Sequence, residues 1–299
     1  KPGKEPTMPQ QYTLTKDQRA LAFDPDIPPV LEIDPGDEVT FQTGDVAYER
    51  LSKGETVEAI GLENFNAVTG PVLVRGAQPG DALRVEILDI QVERAWSVWL
   101  PQFGGLGAYA DRIQVMQTPI RDGRVWISPS VSVPLAPMIG CLAVAPAEGR
   151  CSTFMPAYPW GGNMDLREMS PGATLWLPVQ VPGARFSMGD LHAAMGSAEV
   201  TWVSLEASGQ ATLRFGLEPG WNLRTPRLRA GQSTYCVGMG ESLLAAQQDA
   251  INQAYALLQE AHGMEPFDAY AYASAVVHMR LGGPASSMVL AEVPDPGSI

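Results

Sequence analysis

Twice in the first third of the chain an apolar run stops at Pro-Gly-Asp and a second apolar run starts at once. Pro29-Val30-Leu31 leads to Pro35-Gly36-Asp37 and then Val39-Thr40-Phe41; Pro71-Val72-Leu73 leads to Pro79-Gly80-Asp81 and then Leu83-Arg84-Val85-Glu86-Ile87. Proline presets φ for the first central position of a type II turn and glycine supplies the positive φ of the second, so each unit reads as a hairpin signal. The two units look structurally related. A looser echo follows at Pro171-Gly172-Ala173-Thr174-Leu175-Trp176-Leu177, ahead of an alternating region at 200–216. Many short strands with regular Pro/Gly turns imply a mainly β fold, an antiparallel sandwich-like or barrel-like core.

The period changes near residue 240. Leu243, Leu244, Ala250, Ile251, Ala254, Tyr255, Leu257 and Leu258 fall at helical spacing, with Ser242 placed to cap the start and Gly263 past the end. A second helix is expected from Pro266, carrying Tyr270, Val276, Val277 and Met279 until Gly282-Gly283-Pro284 stops it. The expected organisation is an N-terminal extension at 1–20, a β-rich core carrying the site at 21–235, as one unit or two packed β subdomains, and an appended α/β portion at 236–299 with one long helix. Lys1 leaves processing open, with Met8 a candidate natural start.

With 299 residues, 45% of them apolar, the chain can bury a substantial core. Twenty basic against 33 acidic residues give a net charge of −13, which repels phosphate backbones and anionic lipid, so neither nucleic acid nor membrane is an expected partner. No apolar run reaches the roughly 18 residues of a membrane span, and KPGKEPTMPQQYTL has no signal-type stretch. A cytoplasmic location is expected. Cys141, Cys151 and Cys236 lack paired spacing, which argues against a disulfide framework or a thiolate metal site. The only lysines are Lys1, Lys4, Lys16 and Lys53, so chemistries that need a core lysine as base, stabiliser or metal bridge are disfavoured.

Chemistry concentrates in Gly189-Asp190-Leu191-His192-Ala193-Ala194-Met195-Gly196-Ser197-Ala198-Glu199. Asp190 and His192 are two apart, so an extended backbone puts them on one face roughly 7 Å apart at about 3.3 Å per residue. Glu199 opens an alternating run, Val200 and Trp202 against Thr201 and Val203, that reads as a returning strand able to bring its carboxylate back beside them. Oxygen, nitrogen, oxygen suits a divalent metal, zinc first, with calcium or another divalent ion as alternatives. The competing reading makes Asp190 and Glu199 turn residues and His192 a core histidine.

Trp160-Gly161-Gly162-Asn163-Met164-Asp165 is a second candidate. The glycines, Gly162 among them, would let backbone approach a small substrate, Asn163 would hydrogen-bond it, and Asp165 would orient a metal ligand or act as base; an Asx-type turn is the bland alternative. Asn66-Ala67-Val68-Thr69-Gly70-Pro71 reads as turn chemistry first and substrate contact, through Asn66 and Thr69, second. Gly104-Gly105-Leu106-Gly107 lacks the lysine and helix of a phosphate cradle and reads as a flexible loop near the site. The cysteines, like His262 and His278, read as structural.

Read together, these segments resemble the acetamidase/formamidase family. The carriers are Asn66 to Val72 with Gly76-Ala77-Gln78-Pro79-Gly80-Asp81, Pro137-Met138-Ile139-Gly140-Cys141 with Val144-Ala145-Pro146, Gly161 to Asp165, and Gly189 to Glu199, in family order over roughly residues 20 to 240. The resemblance implies hydrolysis of a short aliphatic amide to carboxylate and ammonia, a β-rich sandwich with an appended α/β portion, a divalent metal, and homo-oligomers. The chain departs from the pattern at Ser197-Ala198, where members often carry Asp-Gly, at Trp160, where some place histidine, and at His278-Met279-Arg280-Leu281-Gly282-Gly283-Pro284.

The expected mechanism is metal-assisted. Asp190, His192 and Glu199 would hold the ion; Glu199 or Asp165 would move the proton; Asn163 would orient a small amide substrate in a pocket walled by Trp160, Phe154 or Tyr158. Two rivals stand beside it: a non-catalytic metal or small-ligand binding protein on the same fold, and a lactamase acting on a cyclic amide.

Overall fold

The computed structural model describes residues 9–298, so residues 1–8 of the expected N-terminal extension lie outside the described residues. In chain order its principal elements are β1 (Gln11–Leu14), β2 (Leu31–Ile33), β3 (Glu38–Thr43), α1 (Val46–Ser52), α2 (Val57–Ile60), β4 (Val68–Val74), β5 (Ala82–Trp99), β6 (Met138–Ala143), β7 (Gly161–Asn163), β8 (Thr174–Pro178) and β9 (Phe186–His192). There follow β10 (Glu206–Glu218), β11 (Arg227–Ala230), β12 (Ser233–Met239), α3 (Leu243–Glu260), α4 (Pro266–Val276), β13 (His278–Leu281) and β14 (Met288–Pro294).

Gly36, Gly80 and Gly172 have φ of 105°, 93° and 90°, the conformation the Pro-Gly pairs require. Asp37 and Asp81 close the first two turns identically: each carboxylate accepts the backbone N–H of the residue three positions earlier, Asp34 and Gln78, at 2.9 Å. The hairpin expectation itself fails. β2 lies parallel to β4, while β3 and β5 run antiparallel to opposite edges of β10. Type II turns twist the wrong way for a tight hairpin, so here they turn corners and send the chain to a new neighbour.

The large sheet has the order β7-β6-β9-β10-β5-β8-β11-β12-β14-β13, with β3 joining β10 and β4 joining β9. Apart from β1 on β3 and β2 on β4, the described pairings are antiparallel. The sheet curls over its core, where the rings of Phe41 (β3), Phe186 (β9) and Phe215 (β10) meet with centroids 5.1 to 6.2 Å apart.

α3 covers β12 and β14. Ser242 caps it, its hydroxyl accepting from the N–H of Ala245 at 3.2 Å. The buried face is Ala246, Ala250, Ala254, Leu257 and Leu258, whereas Leu243 and Leu244 are exposed, contrary to the periodicity reading. The reason is close packing: a side chain on Gly238 would collide with the Ala246 carbonyl, so only small residues fit between helix and sheet. α4 starts at Pro266 as expected but ends at Val276, and His278 and Met279 lie in β13 against β14 rather than on a helix. The β-branched pair Val276-Val277 favours that switch to extended backbone. Among the described residues no helix is long and apolar enough to cross a membrane.

Candidate active site

β7, β6, β9 and the start of β10 lie side by side, and their facing ends build the site. His192, the last residue of β9, sits opposite Met138 on β6 and Glu206 on β10. Its side chain is 1% exposed, and neither ring nitrogen has a hydrogen-bond partner. Nε2 stands 3.4 Å from Asp165 Oδ1 and 3.5 Å from Asp190 Oδ2; Nδ1 stands 3.7 Å from Glu206 Oε1 and 3.9 Å from Glu199 Oε1. One imidazole therefore separates two pairs of carboxylates.

Backbone irregularity aims the first pair. Asp190 has φ of 57° within β9, and Asp165 has φ of 46° just past the Gly-Gly turn of β7. The N–H groups of Met164 and Asp165 both donate to the Gly140 carbonyl, at 3.0 and 3.1 Å. From the far side, Gly283 donates to the Met164 carbonyl at 3.0 Å, and a side chain there would strike Met164 and Asp165. Asn66, buried, donates from Nδ2 to both Asp190 Oδ2 and Asn163 Oδ1 at 3.1 Å. That bond turns the Asn163 amide so that its own NH₂ remains free of described protein acceptors.

Gly140 on β6 forms the floor. A Cβ built on it would stand 2.5 Å from Asp165 Oδ1, 2.7 Å from His192 Nε2, and closer still to Asp190 Oδ2. Any other residue here would put its side chain on the one point where Asp165, Asp190 and His192 converge. Both oxygens of Asp165 and both nitrogens of His192 are buried and unpartnered, a costly arrangement unless a further group takes those lone pairs. Two oxygens and a nitrogen within 4.8 Å of one another fit a divalent cation.

Charge points the same way. Four carboxylates, Asp165, Asp190, Glu199 and Glu206, surround one histidine, and no lysine or arginine lines the cavity. Burial pushes Asp165 up to about 6, against the lowering pull of His192. Burial and the Asp165 charge push Glu199 up to about 10, and burial pushes Glu206 up to about 8. For His192, burial disfavours the charged ring, but the carboxylates of Glu206 and Asp190 win and raise it well above its ordinary value.

Glu199 reaches the site by a route other than the one expected. Residues 193–205 form an irregular loop, with φ of 63° at Ala198, 38° at Glu199 and 59° at Trp202, which no strand accommodates. The returning strand is β10, and its first residue, Glu206, is the acid paired across from His192; sequence spacing had passed over it. Gly140 and the Asn66 bridge were missed as well. The candidate set is otherwise sorted clearly. Asn66, Asn163, Asp165, Asp190, His192 and Glu199 line the cavity, as does Phe154. Trp160 does not: its ring stacks on Tyr158 at 5.1 Å, packed among Ala143, Cys141 and Phe23. Thr69 donates to the Gln42 carbonyl at 2.7 Å and faces away, and Gly162 contributes only backbone, paired with Leu142. The 104–107 loop is beside the site and tightly packed, Gly105 donating to the Val200 carbonyl at 2.9 Å.

Cys141 is buried beneath the site, its thiol donating to the Thr153 carbonyl at 3.3 Å; burial and the charges of Asp190 and Asp165 push its pKa well up, so it is a poor nucleophile.

The chain is similar to the formamidase of Methylophilus methylotrophus, 24% identical over 64% of this chain and 62% of that protein, so it spans about three fifths of that curated relative's length. Its structure is similar to that of a predicted acetamidase/formamidase from Thermoanaerobacter tengcongensis, at 28% identity and TM-score 0.88 over 96% of each chain, and to an acetamidase from Bacillus halodurans, at 28% identity and TM-score 0.87 over 94% and 97%. The acetamidase/formamidase family model matches residues 9–154 and 143–285, nearly the whole described chain, and the protein belongs to that family.

Proposed function

We propose that this chain hydrolyses a carboxamide to a carboxylate and ammonia, at a divalent metal held by Asp165, Asp190 and His192. The observation that carries the reading is the point above Gly140 on which Asp165, Asp190 and His192 converge, where both Asp165 oxygens and both His192 nitrogens are buried without a partner. A divalent ion there, zinc first and calcium or another as alternatives, would polarise the amide carbonyl and make water more acidic. Asn163 donates from its free NH₂ to the carbonyl oxygen and fixes the substrate's orientation. Glu199 carries the proton. It takes one from the attacking water as the C–O bond forms and returns it to nitrogen as the C–N bond breaks; burial and the Asp165 charge raise it to about 10, and a divalent cation would bring it down so that the carboxylate starts the cycle ionised. Glu206, across the imidazole from the ligands, holds the ring in place: its carboxylate faces Nδ1 and is itself fixed by the N–H of Ser204 at 3.0 Å. Relative to the sequence reading, Asp165 joins the ligand set, and Glu199 leaves it and keeps the proton-carrying role. A cytoplasmic location, carried over from the sequence reading, and a homo-oligomeric state, which rests on the resemblance, belong to the same proposal.

Ammonia release from formamide and acetamide, with and without chelator, tests the reading. Turnover should fall with chelation and return with zinc. Glu199→Gln should lower it on the order of 10²- to 10⁴-fold in a folded, metal-loaded protein, while Cys141→Ala retains it. A dead Cys141→Ala beside an active Glu199→Gln would mean a thiol mechanism. Metal binding without turnover of any linear or cyclic amide would leave the binding-protein reading.

A further inference from the structure

The cavity above the Asp165, Asp190 and His192 centre is built for something larger than the expected small amide. Its polar groups all cluster at one end, and the rest of the wall is apolar: Leu51 and Phe65 from the α1 and α2 region, Val98 at the end of β5, Phe103, Phe154 and Trp202 from three separate loops. The expected small-amide walls, Trp160 and Tyr158, are turned away from it. Its volume is about 120 Å³. That is of the order of the roughly 150 Å³ apolar cavity that takes a benzene ring, and more than the three or four heavy atoms of formamide or acetamide need.

The composition of the walls decides the chemistry. No lysine or arginine lines the cavity and four acids do, so the wall offers no counter-ion to a substrate tail bearing negative charge. Phe103 and Trp202 meet edge to face, centroids 5.6 Å apart, and form one aromatic side of the mouth. Their positions are fixed by backbone packing: a side chain on Gly104 would strike the Thr201 carbonyl, so the two loops are in direct contact. A cleft of this kind, apolar over most of its surface with a few convergent polar groups, is what a compact hydrophobic ligand needs.

We infer that the preferred substrate is a neutral amide carrying an apolar group of about benzyl size, seated against Phe65, Phe103, Phe154 and Trp202, in preference to formamide or acetamide. The inference rests on amide hydrolysis as the activity of this centre. The tail contributes no covalent step; it supplies binding energy that holds the amide against Asn163 and Glu199.

The test compares kcat/KM for acetamide, hexanamide, phenylacetamide and the para-carboxylate of phenylacetamide on the metal-loaded enzyme, and measures binding of the same compounds to Glu199→Gln by calorimetry. Phenylacetamide should exceed acetamide on the order of 100-fold in kcat/KM, with hexanamide between them and the carboxylate at least about tenfold below phenylacetamide. Trp202→Ala, at an exposed position, should lower the phenylacetamide value about tenfold more than the acetamide value. Acetamide turnover equal to or above that of phenylacetamide overturns the inference and leaves amide hydrolysis standing. Tight phenylacetamide binding with no turnover of any amide does the reverse: the apolar-tail preference holds and the hydrolytic reading falls.

Discussion

Single residues define this site by what they omit as well as by what they supply. Asp190 and His192 could be read from sequence because they are two apart on one strand, and Asp165 because it follows a Gly-Gly turn. Glu206 could not: it faces His192 through strand pairing across an irregular 13-residue loop, and no local spacing records that. Gly140 is harder still, since its contribution is the absence of a side chain. Gly140→Ala would put a methyl group on the point where three donors converge, so the variant should lose nearly all its bound divalent metal while its circular dichroism spectrum stays native. Elemental analysis after dialysis measures this. Metal content equal to that of the parent protein would remove the Asp165, Asp190 and His192 centre as the binding site.

Elements were easiest to foresee where punctuation is strong and hardest where tertiary packing overrides pattern. The positive φ at each Pro-Gly pair was legible, but partner strands were not, because a type II turn says that the chain bends and not where it goes. α3 shows the same limit. Its position was legible from the 3.6-residue period and the Ser242 cap, yet its leucines Leu243 and Leu244 face outward and its alanines face in, because Gly238 admits the helix so close to the sheet. Chemical denaturation should therefore invert the usual ranking. Gly238→Ala, which forces a methyl into the Ala246 carbonyl, should cost about 1–3 kcal/mol, whereas Leu244→Ala, at a 75% exposed position, should change stability by less than about 0.5 kcal/mol. A neutral Gly238→Ala would show that helix and sheet are not in close contact.

For the whole molecule, Asp165, Glu199, Glu206 and His192 tie stability to pH and to metal. In the metal-free protein Asp165 is raised to about 6, Glu206 to about 8 and Glu199 to about 10, and His192 is raised too. Groups raised on folding hold more protons in the native state, so their contribution is complete below the unfolded values and is lost as pH rises through the folded ones. Chelated protein should thus lose on the order of 5 °C or more in Tm between pH 5 and pH 9. Saturating zinc should flatten the profile by taking the place of those protons. Differential scanning calorimetry across that range decides it, and a chelated Tm that is level or climbs with pH would overturn the assignment of raised values.

β10 enters the sheet between two strands that precede it by more than a hundred residues, β3 on one edge and β5 on the other. During synthesis both earlier strands leave the ribosome with an open edge and must wait for the segment that joins them. Pairing over such separations is slow, and the waiting edges are vulnerable to pairing with other chains. The same late segment brings Glu206 to His192, so a nascent chain halted before residue 206 has neither a closed core nor a complete centre. Chaperone demand should peak in that interval and end when β10 docks.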